Sequence, residues 1–375
     1  MINRLPYQFN GLGIISTVLF VFDIVLFSIF SATLVLRLVL FPAAVVKSCT
    51  TNITELAMTG AVPIAWFTVT AQVLLLPFVE GVPRSLTNAQ VGLTASNARW
   101  GGHPFTILAI VMWWLGSFVM MADAVFVIVV VARKNVVNLE TMPPAMVLPF
   151  VGTTTDAVVG ALIVQHSADM SARLAIPIIV VSYMLAGVGF FAAMMIYSAF
   201  FVKLMNHDLP PSPQSPSLIL LVGPCGQSAA AILLLGTAAR TYFGSYDRGT
   251  LLQASAGDTL AAVGVLLGLL FVGMACFFTT FAVYIMLEAA FRKEHKYSLL
   301  WWSTIFPLAT VNTAWIALAE EMDSPAFRVL ATMSLLVLVI AYIINWGFTL
   351  HHIATGRLLN GKRSDHPAQA RRKES

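Results

Sequence analysis

Charged residues are scarce in this chain: they make up 10% of its 375 residues, whereas 58% are hydrophobic. A soluble domain carries about 25% charged residues. The mean hydropathy of the whole chain is +0.85, so the apolar excess is not confined to one anchor. A soluble core cannot bury that much apolar surface, and the composition therefore predicts an integral membrane protein.

Cysteine is rarer still, and residue patterns typical of catalysis are missing. Cys49, Cys225 and Cys276 lie far apart, with neither metal-ligand spacing nor a disulfide framework. The apolar runs hold no paired His, Ser–Lys or Asp–Asp arrangement at matching depth. We therefore expect no metal, no cofactor and no enzymatic activity. The net charge of +4 does not indicate nucleic-acid binding, because most basic residues lie at the ends of apolar runs or in the tail.

Long apolar runs are what the chain has in abundance. A helix needs about 20 apolar residues to cross a bilayer, and nine runs meet that length. They predict an all-α polytopic membrane protein with one transmembrane domain, 1–355, and a basic cytoplasmic tail, 356–375. The predicted spans are 12–38, 57–78, 105–132, 143–165, 174–202, 215–239, 258–286, 299–319 and 326–350.

The distribution of Lys and Arg sets the expected orientation. With the N-terminus outside, 14 of the 21 basic residues lie on the cytoplasmic side and 7 lie outside. This ratio predicts a cytoplasmic C-terminus, because cytoplasmic loops are enriched in Lys and Arg. The one N-x-S/T sequon, at Asn52, then lies in the cytoplasm, and we expect it to carry no glycan.

Proline divides the spans into two kinds. Runs 57–78, 143–165, 215–239 and 299–319 carry it inside or at their entrance, and the runs between them are nearly free of it. An interior proline kinks a helix, and broken backbone is tolerated in a membrane where protein buries it or water reaches it. We expect kinked inner helices around a polar path, ringed by straight outer helices. The alternative is that their Ser and Thr residues only hold helices together.

Three segments carry a resemblance to a known family. Segment 301–308 reads Trp-Trp-Ser-Thr-Ile-Phe-Pro-Leu, segment 209–211 is followed by Gly-Pro-Cys-Gly-Gln at 223–227, and segment 60–63 reads Gly-Ala-Val-Pro. In this order the segments resemble the tellurite-resistance/dicarboxylate transporter family. That family includes slow anion channels and malic acid permeases, and this chain is most similar to its fungal sulfite efflux pumps.

The resemblance implies a fold and a function. In that family ten helices form five hairpins around a central pore for small anions, and relatives form trimers. The stretch 223–227 favours sulfite efflux, with C4-dicarboxylate (malate) transport as the alternative and the plasma membrane as the expected location. The implied gate is Phe306 beside the kink at Pro307. The implied pore-lining residues are Pro63, Thr68, Pro149, Thr153, Thr154, Asp156, Gly223, Pro224, Gly226, Gln227, Thr310 and Asn312.

The start of the chain departs from the family pattern. The family's first helix is an inner one with a Gly-Thr-Gly-like turn, whereas Leu5-Pro6-Tyr7 resembles the loop that follows that helix. Nine spans are therefore expected where the family has ten. A truncated gene model, a partner that fills the gap, and a degenerate membrane protein without transport activity all stay open as explanations.

Carboxylates inside the spans are the remaining functional candidates, because a charge in a membrane is costly and usually functional. Asp23 and Asp123 lie on straight spans, where we expect each to be protonated or paired with a neighbouring helix. Asp156 lies on a kinked span. It is expected to be protonated, turned away from the path, or a proton-coupling site.

Overall fold

The computed structural model describes residue 7 and residues 12–75, 103–134, 138–140, 142–167, 169–206, 209–294 and 297–356. Residues 76–78 of the second predicted span, Leu5 and Pro6, and positions 357–375 of the predicted tail lie outside the described residues. Within the described part the chain is helical, and its one β-bridge joins Arg248 to Leu252. The α-helices are α1 (Leu12–Leu40), α2 (Pro42–Thr51), α3 (Ile53–Met58), α4 (Ala61–Leu75), α5 (His103–Lys134), α6 (Leu148–His166), α7 (Ala172–Asn206), α8 (Val222–Tyr246), α9 (Ala254–Phe291), α10 (Ile305–Glu321) and α11 (Pro325–Ala354).

Eight helical segments of the described chain are long and apolar enough to cross a membrane. They coincide with eight of the nine predicted runs and confirm an all-α polytopic membrane protein. The remaining run, 299–319, forms the 17-residue helix α10, which a 3-10 segment precedes. The eight segments are Val21–Leu40, Ile53–Ala71, Thr106–Lys134, Pro144–His166, Ala172–Asn206, Ser212–Tyr246, Ala254–Phe291 and Pro325–Ala354.

Each proline-bearing span has a break near its start. A two-residue turn, 59–60, separates α3 from α4, and 3-10 segments lead into the other three helices: Pro144–Val147 into α6, Ser212–Leu221 into α8 and Leu299–Thr304 into α10. Proline has no backbone N–H to continue the α-helical ladder, which accounts for breaks at these positions. The proline-poor spans are single helices of 29 to 38 residues. The predicted alternation of kinked and straight spans is therefore present.

The kinked helices form an arc inside the protein. In this arc α4 packs on α6, α6 on α8 and α8 on α10, while α5, α7, α9 and α11 pack on its outer side. The rest of the chain buries 100% of the most apolar stretch of Pro144–His166 but only 17% of that of Pro325–Ala354. We call α4, α6, α8 and α10 the inner helices. Helix α4 lies at one end of the arc, and its Ala61, Val62 and Ala65 are exposed in the described structure.

Side chains on the outer helices donate hydrogen bonds to backbone carbonyl groups at the breaks. Lys203 of α7 donates to the Met142 carbonyl at 2.9 Å, and Tyr197 of α7 donates to the Leu221 carbonyl at 2.6 Å. Asn345 of α11 donates to the Trp301 carbonyl at 3.3 Å. A carbonyl without a partner in the hydrocarbon would cost several kcal/mol. The straight outer helices therefore stabilise the breaks in the inner ones.

Candidate functional site

Glycines bring three inner helices into close contact. A methyl group on Gly223 of α8 would lie 3.2 Å from Cγ2 of Val151 on α6 and 3.9 Å from Cβ of Pro307 on α10. A methyl group on Gly226 would lie 2.9 Å from the backbone nitrogen of Val311 and would overlap the Thr310 hydroxyl. These glycines allow the backbones of α8 and α10 to approach one another.

The contacts also show that α8 and α10 run in the same direction. Gly223 meets Pro307, Gly226 meets Thr310, and further along the Thr237 hydroxyl donates to Glu321 at 2.5 Å.

Helix α6 is parallel as well, because Val151 lies by Gly223 and Gln165 donates to the Leu234 carbonyl at 2.6 Å. Helix α4 runs the same way, because Gly60 lies against Pro149 and Ile64 lies against Gly152, so all four inner helices begin at the same end of the protein.

One face of α6 keeps a small contact with solvent although the helix lies at the centre of the bundle. Leu148 is 7% exposed, Thr155 is 4% exposed and Leu162 is 7% exposed, whereas Thr153 is 0% exposed. These three residues recur every seven positions, about two helical turns, and Val158, which is 5% exposed, lies within one turn of Thr155 and of Leu162, so the four share one side of the helix. On α8, Gln227 is 6% exposed. We call Leu148, Thr155, Leu162 and Gln227 the inner face.

Two predicted pore-lining residues of α6 contact an outer helix. A methyl group on Gly189 of α7 would lie 2.5 Å from Cγ2 of Thr154 and would also overlap the Thr153 hydroxyl. The Thr153 hydroxyl donates to the Phe150 carbonyl at 2.9 Å, and that of Thr154 donates to the Val151 carbonyl at 2.9 Å. Thr155, which was not among the predicted lining residues, lies on the inner face instead.

Asp156 also points toward an outer helix. Its Oδ1 lies 2.9 Å from the Ser117 hydroxyl of α5, and the Trp113 indole donates to its backbone carbonyl at 3.0 Å. The Ser117 hydroxyl also lies 2.8 Å from the Trp113 carbonyl. One hydroxyl has one proton, so both contacts are satisfied when Asp156 is a neutral acid that donates to Ser117.

We therefore expect Asp156→Asn to leave the amount of folded protein and the anion flux unchanged. The asparagine amide donates to Ser117 as the neutral acid does, and the side chain keeps its shape. Ser117→Ala removes the acceptor and should lower the melting temperature, because a buried donor without a partner costs about 1–3 kcal/mol. Thermal unfolding of the solubilised variants compares the two. A loss of stability in Asp156→Asn equal to that in Ser117→Ala would contradict this assignment.

The comparison with known proteins places the chain in a family. Residues 1–350 match the model of the voltage-dependent anion channel family, SLAC1. The chain belongs to this family. Sulfite efflux pumps of Arthroderma benhamiae and Trichophyton rubrum are each 26% identical to it over 358 residues, covering 96% of this chain and 88% of each pump. The malic acid transport protein of Schizosaccharomyces pombe is 21% identical over 346 residues, covering 92% of this chain and 72% of that protein.

This membership confirms the resemblance found in the sequence, and it makes the chain a multi-pass membrane protein of an anion channel and transporter family. The relatives named above are transporters. The structure places the gate residue that the family resemblance implies, Phe306, at the start of α10. Its ring is half-buried and packs against the apolar cluster that contains Val151 and Val222.

The other predicted lining residues lie at several positions on the inner helices. Pro63, Pro149, Gly223, Pro224 and Pro307 are buried at or close to the breaks. Thr68 is half-buried on α4. Asn312 is 0% exposed, and neither polar atom of its side chain has a partner among the described residues. These roles stay predictions.

An ion pair that was not predicted from the sequence joins two inner helices near their C-terminal ends, opposite the breaks. Arg240 of α8 lies 3.2 Å from both carboxylate oxygens of Glu321 on α10. The Glu321 side chain is 14% exposed and that of Arg240 is 46% exposed. The pair neutralises a carboxylate at this end of the arc and leaves a partly exposed guanidinium. The signal in the sequence was a basic residue directly after a kinked span.

Proposed function

We propose that this member of the voltage-dependent anion channel family exports sulfite through a path along the inner face. The observation that carries the proposal is the inner face itself. Thr155 and Gln227 keep a small accessible surface on spans that the protein otherwise buries. These polar side chains, accessible between the leucines of the same face, can offer hydrogen bonds to a solute. Phe306 and Pro307 are proposed as its gate.

The electrostatics of the inner helices suit a small anion. Segments 61–75, 148–166, 222–239 and 305–319 contain no Lys or Arg. A path without fixed positive charge binds an anion weakly enough for it to leave quickly. The inner helices are parallel, so the positive ends of their dipoles lie on one side. Under the predicted orientation that side is the cytoplasm, where an exported anion enters.

The same proposal includes the location and assembly of the protein. The excess of Lys and Arg on one side supports a cytoplasmic C-terminus, and export places the protein in the plasma membrane. By resemblance to its family we propose a homotrimer, with a pore in each subunit. In this orientation the sequon residue Asn52 lies in the cytoplasm and should carry no glycan. It caps α3, where its side chain accepts a hydrogen bond from the Thr54 backbone N–H at 2.9 Å.

The test is expression in a sulfite-sensitive host, together with flux into liposomes that contain the purified protein. We expect increased sulfite tolerance and sulfite flux well above that of empty liposomes. The sulfite efflux pumps support this substrate because both are similar to the chain over 96% of its length. Malate flux without sulfite flux would replace sulfite with a C4-dicarboxylate. The absence of any anion flux from monodisperse protein would favour the non-transporting alternative.

A further inference from the structure

Polar side chains from three inner helices lie at one level of the proposed path. The contact between Val151 and Gly223 sets the register of α6 and α8. Moving four residues along each of these parallel helices places Thr155 opposite Gln227. Thr310 of α10 lies at the same level, because it meets Gly226. This level is one turn beyond the meeting point of α6, α8 and α10 at Gly223.

At this level both threonine hydroxyls already donate within their own helices, whereas the Gln227 amide does not. The Thr155 hydroxyl donates to the Val151 carbonyl at 2.8 Å, and the Thr310 hydroxyl donates to the Pro307 carbonyl at 2.7 Å. Each hydroxyl has a single proton, so these threonines offer only oxygen lone pairs to a solute. No group in the described structure is hydrogen-bonded to the Gln227 amide.

Residue Gln227 is 6% exposed and its amide has no partner among the described residues, which is unusual because buried polar groups are nearly always hydrogen-bonded. Water or a solute in the path is the partner that remains. The amide offers two N–H donors and one carbonyl acceptor. A small anion that accepts hydrogen bonds and also carries an O–H group matches this set together with the threonine oxygens.

We propose that Gln227 binds the anion in the path and selects a small hydrogen oxyanion, of which hydrogensulfite is one. Its N–H groups donate to the anionic oxygens, and the O–H group of the anion donates to the Gln227 carbonyl or a threonine oxygen. A halide has no O–H group, so it can accept the amide N–H bonds but donates none to the amide carbonyl or to the threonine oxygens. The inference rests on the proposed transport function and adds its binding residue and its substrate class.

Neighbouring charges do not account for recognition at this level. Asp156 follows Thr155 directly, but its side chain points about 100° away around α6 and contacts Ser117 of the outer helix α5. Arg240 lies more than three helical turns beyond Gln227 on α8 and is paired with Glu321. Recognition at this level therefore depends on neutral hydrogen-bond donors and acceptors.

The experiment measures hydrogensulfite and chloride flux in liposomes containing the full-length protein or its Gln227→Leu variant. Leucine has a similar volume and no polar atoms. We expect hydrogensulfite flux to fall at least about tenfold, as is usual on losing a hydrogen bond to a charged group, and chloride flux to fall clearly less, because chloride loses the N–H contacts but had no O–H bond to the amide carbonyl. Gln253→Leu, at an exposed turn, is the matched control and should leave both fluxes unchanged.

Folding is checked by gel filtration and thermal unfolding of each solubilised variant. Unchanged hydrogensulfite flux in Gln227→Leu would overturn the inference and leave the proposed function standing. An equal loss of both fluxes from folded protein would make Gln227 a structural residue and would also overturn it. If the wild-type protein moves no anion, the proposed function and this inference fall together.

Discussion

Replacing Gly189 with alanine is expected to remove most of the folded protein from the membrane. The new methyl group would lie 2.6 Å from the carbonyl oxygen of Phe150 and 2.5 Å from Cγ2 of Thr154. Because the clash includes the backbone of α6 and not only side chains, it can be relieved only by moving α6 and α7 apart. Overpacking a core costs about 1–3 kcal/mol of stability. Because this clash includes backbone, we expect the destabilisation of Gly189→Ala to lie at the upper end of that range.

Gly187 provides a matched control on the same helix. A methyl group there would have no neighbour within 4 Å. Alanine favours a helix over glycine by about 1 kcal/mol, so Gly187→Ala should be neutral or slightly stabilising. The measurement is the yield and melting temperature of the monodisperse solubilised protein. Equal losses in both variants would show that α7 does not pack on Thr153 and Thr154 as described.

The breaks in the inner helices could be predicted from the sequence because their cause is local. Pro144, Pro216 and Pro307 each lack the backbone N–H that an α-helix needs, and each lies in or next to a 3-10 segment. The apolar length of the runs likewise predicted the spans, and eight of the nine runs form segments of the described chain that are long and apolar enough to cross a membrane. Both signals are contained within a single span, and neither depends on its neighbours.

The direction of each polar side chain could not be predicted in the same way. Thr153, Thr154, Thr155 and Asp156 are consecutive, so they point about 100° apart around α6. A run of polar residues has no helical period and does not indicate which side faces the path. That choice depends on partners distant in sequence: Gly189 accommodates two of the threonines, and Ser117 contacts Asp156.

The side chains that stabilise the breaks were missed for a related reason. Tyr197 and Lys203 lie on a straight span and bond carbonyls 24 and 61 residues away along the chain. Nothing near them in the sequence identifies those partners. A signal was nevertheless present, because a polar side chain on a lipid-facing helix needs a partner inside the protein. Asn345 on α11 follows the same logic.

The gate proposal leads to the second prediction of large effect: Phe306→Ala should raise anion flux in liposomes. The aromatic ring is half-buried at the start of α10, one residue before the kink at Pro307, and packs against the apolar cluster that contains Val151 and Val222. An apolar constriction blocks ions by excluding water, and alanine removes the ring without adding charge. We expect an increase of at least about tenfold, which corresponds to about 1.4 kcal/mol off the barrier.

Two further variants make this result interpretable. Phe118→Ala removes an aromatic ring that is 77% exposed on the outer helix α5 and should leave flux unchanged. Phe306→Leu keeps an apolar side chain of intermediate size and should give an intermediate flux. A graded increase from phenylalanine through leucine to alanine would locate the barrier at this ring. If Phe306→Ala is folded but no faster than the wild-type protein, the ring belongs to the core and the barrier lies elsewhere along the inner face.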